Sequence, residues 1–149
     1  MNIEIISEPL TLTLYGVSGK VENQNYGGTG QQLMDIFGKE IGVKKLKHKG
    51  KNHWVYEEGD MLFTGVELEE TSDSDSGLTL KKICLTKYVY WKHIGPYREL
   101  GKVHANLNEE LKSKGLQRCF PSIEIYGHWT ENESKLETDI IIAINNGID

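Results

Sequence analysis

Cysteine is scarce in this chain, basic charge is in deficit, and no long apolar run occurs. Two cysteines in 149 residues, Cys84 and Cys119, exclude a secreted disulfide framework and show no metal-ligand spacing. Both lie in apolar runs and are expected to be buried small hydrophobes. No segment approaches the roughly 18 apolar residues needed to span a bilayer. The N-terminus has no basic stretch followed by an apolar one, so no export signal is read and a cytoplasmic, membrane-free protein is expected. A net charge of −5 argues against nucleic acid as a direct partner. The lysines at 44, 45, 47, 49 and 51 surround His48, but no aromatic residue interleaves them to stack on bases. They read as a solvated strand or turn. His48 and His53 are five apart and His93, His104 and His128 are scattered, which predicts no metal site and no cofactor.

The apolar residues that are present fall into two similar halves. Leu10 to Tyr15 alternates as a half-buried strand. A Gly-rich stretch, Tyr26-Gly-Gly-Thr-Gly30, lacks the Gly-Lys-Ser/Thr ending of a phosphate cradle and reads as a flexible loop. Gln31 to Ile41 carries Leu33, Ile36, Phe37 and Ile41 at helical spacing, with Gly42 at the place of a left-handed cap. Strands at His53 to Glu57 and Met61 to Leu68 follow, joined at Glu58-Gly59-Asp60. The second half repeats this order. Lys82 to Trp91 reads as a strand, and His93 caps the reversal before Gly95-Pro96 opens a helix. That helix has a Tyr97, Leu100, Val103, Leu107 and Leu111 stripe and a Gly115 stop. Strands at Ser122 to Trp129 and Leu136 to Ile144 end the half. The residues predict an α+β fold made of a tandem strand-helix-strand-strand repeat. Half-repeats of about 1–69 and 78–149 flank an acidic linker at 70–77, and both pair into a single antiparallel sheet and a single domain over 1–149.

Strand alternation then sorts the side chains by face. In Cys119-Phe-Pro-Ser-Ile-Glu-Ile-Tyr126, the carboxylate of Glu124 and the phenol of Tyr126 share one face while Ile123 and Ile125 share the other. Tyr15 opposes the leucines of its strand, and Trp54 and Tyr56 oppose Val55. Phe63 alternates against Leu62, and Tyr88 pairs in phase with Tyr90. If both helices cover the aliphatic face, these rings and Glu124 form a groove on the helix-free face. Aromatic faces attract cations by about 0.5–2 kcal/mol each. A partly desolvated carboxylate discriminates against anions.

Tyr90-Trp-Lys-His-Ile-Gly-Pro-Tyr97, the helix after it, Pro121-Ser-Ile-Glu-Ile-Tyr126 and the strand from Thr138 to Ile144 resemble the GyrI-like family. That family includes effector-binding domains of multidrug-responsive and AraC-type transcription regulators. The resemblance implies a pseudo-twofold axis relating the halves, helices on one face of the sheet and a ligand groove on the other. It maps the family's acidic residue onto Glu124 and its aromatic neighbour onto Tyr126, with Trp54 and Tyr56 as first-half counterparts. Many relatives carry a DNA-binding helix-turn-helix region. Nothing before Leu10 can hold two helices, so the chain is not expected to be a complete regulator by itself.

These residues, with the resemblance, lead to the expectation of a standalone binding protein for amphipathic, often cationic aromatic small molecules. Its ligand-binding set is Tyr15, Trp54, Tyr56, Phe63, Tyr88, Tyr90, Glu124 and Tyr126. One alternative is hydrolysis: similar standalone proteins open cyclopropane-type rings of alkylating natural products. Glu124 would then activate water, Tyr126 or His128 would bind the developing anion, and burial would raise the carboxylate pKa. Another is an interaction protein that inhibits a topoisomerase. A homodimer and a regulator partner both remain open, since exposed rings serve an interface as well as a ligand.

Overall fold

The computed structural model describes residues 2–69 and 77–145. The elements run β1 (Glu4–Ile6), β2 (Leu10–Lys20), α1 (Tyr26–Lys44), β3 (Asn52–Glu57), β4 (Met61–Val66), β5 (Thr79–Leu85), β6 (Tyr88–Ile94), α2 (Leu100–Ser113), β7 (Gln117–Tyr126) and β8 (Glu137–Asn145). All strands join one antiparallel sheet in the order β1-β6-β8-β7-β3-β4-β2-β5. The α+β class is as the sequence indicates. Each half supplies strand, helix, strand, strand: β2-α1-β3-β4 and β6-α2-β7-β8. The order reads alike from either end, β6-β8-β7 meeting β2-β4-β3 at the central β7–β3 pair, with β1 and β5 exchanged onto the outer edges. The linker expected at 70–77 lies, apart from Gly77, outside the described residues.

The run from Lys82 to Trp91 is two strands rather than one. It breaks at Thr86-Lys87 into β5 and β6, which pair near opposite ends of the sheet, with β2 and β8 respectively. A link this short joins the two ends only because the sheet curls into a half-barrel. Packing shows the same thing. Leu12, Leu14, Ile83 and Leu85 from one end share a single buried cluster with Tyr88, Ile141 and Ala143 from the other, around Val55, Phe63 and Ile123. Each large apolar side chain buried there contributes about 1.5–3 kcal/mol.

This curl corrects the placement of the groove. The alternation is as read for Val55 and Ile123 against Trp54, Tyr56, Glu124 and Tyr126, but the aliphatic face closes on itself and needs no helix. Both helices therefore lie on the aromatic face. Leu33 and Phe37 of α1 pack with Trp54, Leu62, Tyr15 and Val66. Leu100, Val103, Leu107 and Leu111 of α2 pack with Val89, Ile140, Ile142 and Ile144. The uncovered strip lies between the helices, not on the side away from them.

Helix ends follow local chemistry. α1 begins at Tyr26, capped by the Asn25 side chain, which accepts from the Gly28 N–H at 3.2 Å. The Gly27-Gly28-Thr29-Gly30 segment is therefore its first turns and not a loop. Gly42 lies within α1, and Lys45, with φ 53°, takes the left-handed cap instead. A 3₁₀ turn at Tyr97–Glu99 precedes α2, which stops at Gly115 with φ 68° as Leu116 N–H bonds Leu111 O at 2.9 Å. The cysteines are not both buried: Cys84 is exposed on edge strand β5, between the inward Ile83 and Leu85, and Cys119 is half-buried.

Candidate functional site

A groove of ≈ 1430 Å³ opens between α1 and α2, with β3 and β7 as its floor. It exceeds the roughly 300–1000 Å³ of ordinary small-molecule sites. Its centre is the register of the two floor strands, where Trp54 pairs with Glu124, Tyr56 with Ser122 and Asn52 with Tyr126. Residues opposite one another in an antiparallel pair share a face. One carboxylate and three rings are thereby gathered from two distant segments.

Glu124 is only 3% exposed. Its Oε1 accepts from the Tyr56 hydroxyl and from the Tyr126 hydroxyl at 2.9 Å, and its Oε2 lies 3.1 Å from His104 Nε2 on α2. Arg118 lies 3.4 Å from the other ring nitrogen, Nδ1. A guanidinium only donates, so Nδ1 accepts and the His104 proton sits on Nε2, directed at the carboxylate. Burial pushes the Glu124 pKa upward, but the bonds from His104, Tyr56 and Tyr126 outweigh it and hold the pKa below the ordinary value. The carboxylate is ionised at neutral pH, contrary to the raised pKa expected of a buried base. Burial and the Glu124 charge push Tyr56 and Tyr126 strongly upward, so both stay neutral donors.

The rings are fixed against one another. Tyr126 meets Trp54 edge-on at 5.4 Å and 76°, and meets Tyr97 at 5.2 Å and 77°. Tyr26 tilts against Tyr56 at 5.7 Å. Trp54 Nε1 donates to Met34 Sδ of α1 at 3.2 Å. Edge-to-face packing sets ring planes before any ligand arrives.

Of the expected set, Trp54, Tyr56, Glu124 and Tyr126 line this groove. The other four are placed elsewhere. Tyr15 has the expected phase but is roofed by α1, packed with Phe37 and Val66. Phe63 pairs with Val55 and so points into the closed core. Tyr88 lies in that core too, and Tyr90 packs against it while its hydroxyl donates to Asp139 at 2.6 Å. Their partners Ala143 and Ile141 lie on the aliphatic face, and Val89 and Ile142 take the helix side instead. Residues not anticipated at the groove include Tyr97, His104, Arg118 and Trp129. His104 was legible in principle, since it sits four residues after Leu100 and three before Leu107, flanking the α2 stripe. His128 lines the groove rim but makes no bond to Glu124.

Among the described residues no group of His, Cys, Asp and Glu could hold a metal ion, and no helix is long and apolar enough to cross a membrane.

The sequence from 54 to 145, more than half of the chain, matches the GyrI-like small molecule binding domain, and the chain belongs to that family. No curated protein sequence matches it. Among solved structures it is similar to the EcmrR C-terminal domain, with a TM-score of 0.74 and 14% identity over 97% of this chain and 99% of that one. It is similar to SAV2435 bound to tetraphenylphosphonium, with a TM-score of 0.61 and 18% identity over 97% and 94% of the two chains. A hydrolase from Listeria innocua has a TM-score of 0.56 and 17% identity over 96% and 91%. Identities this low show a common fold.

Proposed function

We propose that the groove binds amphipathic aromatic cations, with Trp54, Tyr56, Tyr97 and Tyr126 as its ring surfaces and Glu124 as a fixed counter-charge beneath them. The observation that carries this is a carboxylate buried under two phenols, each donating to it. A phenol that donates to an anion gains electron density in its ring, which strengthens its attraction for a cation above. Glu124 is thus felt through Tyr56 and Tyr126 rather than touched. Histidines and tyrosines aside, the acidic and basic side chains of the lining are mainly acidic, with three carboxylates (Glu57, Asp60, Glu124) against one guanidinium (Arg118).

Size favours breadth over selectivity. A groove this large, with fixed rings and few directional partners, accepts flat or propeller-shaped cations in more than one pose. Tetraphenylphosphonium, present in the SAV2435 structure, is a suitable probe. Hydrogen bonds from His104, Tyr56 and Tyr126 weaken Glu124 as a base, which favours ligand binding over proton abstraction. Thermal denaturation with tetraphenylphosphonium tests the reading, because binding to the native state raises the midpoint with concentration. The wild type should shift, and Glu124→Gln should require about tenfold more ligand for the same shift. No shift in the wild type at millimolar ligand would remove the proposal.

A further inference from the structure

Arg118 is a cation in the groove wall with no carboxylate among its hydrogen-bond partners. Its guanidinium donates to Asn108 Oδ1 at 2.8 Å, Ser122 Oγ at 3.0 Å and His104 Nδ1 at 3.4 Å. Among the described residues it forms no ion pair with a carboxylate. The other lining carboxylates have partners of their own, Glu57 in Lys81 and Asp60 in the Tyr26 hydroxyl. Arg118 remains charged at neutral pH. The residue is exposed, but side chains from α2 and β7 bond its guanidinium on three sides. Three of its five N–H groups are engaged, so others remain for an incoming oxyanion.

Its distance from the acidic centre is set by the strand. Ser122, which holds the guanidinium, is two residues from Glu124 on the same face, about 7 Å along β7. Phe120 also lines the groove near this end and is 59% exposed. The groove therefore offers an electron-rich ring surface over Glu124 and a positive pole roughly one ring-length away.

We propose that Arg118 is an anion-binding pole, and that the groove takes aromatic zwitterions whose delocalised cation lies over Tyr56 and Tyr126 while a carboxylate reaches Arg118. This inference rests on the cation-binding reading above and narrows its ligand class. It also gives His104 a reason to hold its proton on Nε2, since the same guanidinium that meets the ligand occupies Nδ1.

The test uses two dyes with one xanthene cation: rhodamine 110, which carries a free carboxylate, and rhodamine 123, its methyl ester. Fluorescence anisotropy should show the wild type binding the acid more tightly than the ester. Arg118→Gln should weaken the acid about tenfold and leave the ester within about twofold, and Arg118→Lys should keep part of the preference. Equal loss for both dyes, or no preference in the wild type, overturns the zwitterion inference while leaving cation binding intact. Failure of the wild type to bind the ester overturns both.

Discussion

Gly30 of α1 lies directly against the indole of Trp54, so close that a Cβ built on the glycine would sit 2.2 Å from the ring. This contact lets α1 approach the groove floor and holds the Trp54 ring in place. In an open helix interior, Gly→Ala stabilises by up to about 1 kcal/mol. Here the ring must move, and overpacking costs about 1–3 kcal/mol. Gly30→Ala should lower the melting temperature. Gly38→Ala, on the same helix with nothing within 4 Å of its added Cβ, should raise it by about 2–4 °C. Equal shifts for both variants, read by circular dichroism, would contradict the close approach.

Phe63 and Tyr56 separate core from groove. Phe63 is fully buried in the closed interior, whereas Tyr56 lines the groove and donates to Glu124. Phe63→Leu should cost about 1 kcal/mol of stability and leave the tetraphenylphosphonium affinity unchanged. Tyr56→Leu should weaken binding about fivefold or more through lost ring surface. Calorimetric titration of both variants makes the comparison.

Tyr126→Phe keeps the ring contacts with Trp54 and Tyr97 but removes a donor 2.9 Å from Glu124 Oε1. Burial then acts against one fewer bond, so the Glu124 pKa should rise. The variant should lose about 1.5–3 kcal/mol at neutral pH, the range for hydrogen bonds to charged groups. Carbon-13 NMR titration of the carboxyl and urea unfolding read the two effects.

Acid should act in two stages. Burial holds the pKa of His53, which is 2% exposed, below its ordinary 6.5, against the opposing pull of the Lys51 carbonyl and the Glu67 charge. The unfolded chain therefore protonates His53 first as pH falls. Stability is full above about 6.5 and declines below it, through the lower folded value. Glu124, also held below its ordinary value, contributes stability that is present above about 4.5 and lost as pH falls through its folded pKa. Urea midpoints at about pH 7.5 and about pH 5.5 should differ in the wild type. They should differ less in His53→Gln.

Local pattern carried much of this structure. The alternation that places Trp54, Tyr56, Glu124 and Tyr126 together follows from strand geometry alone, and the register confirms their common face. The side on which the helices pack did not follow, because an aliphatic face can be buried by a helix or by the sheet closing on itself. The gathering of β2 and β8 residues into one buried cluster across the curl decides it, and these are far apart in sequence. Phe63 was mis-phased for a smaller reason. The turn at Glu58-Gly59-Asp60 pairs Glu57 with Met61, and hence Val55 with Phe63. Counting outward from that turn fixes the phase that single-strand alternation leaves free. Gly27 to Gly30 read as a loop because glycine disfavours helix, and only the Trp54 ring explains why Gly30 is required there.

Tetraphenylphosphonium and tetraphenylborate share one shape and carry opposite charge, so the ratio of their dissociation constants isolates the sign of the groove. The account predicts that the wild type prefers the phosphonium by about tenfold or more and that Glu124→Gln collapses most of that preference. A wild type that binds the borate as tightly as the phosphonium, or a preference unchanged in Glu124→Gln, would contradict it.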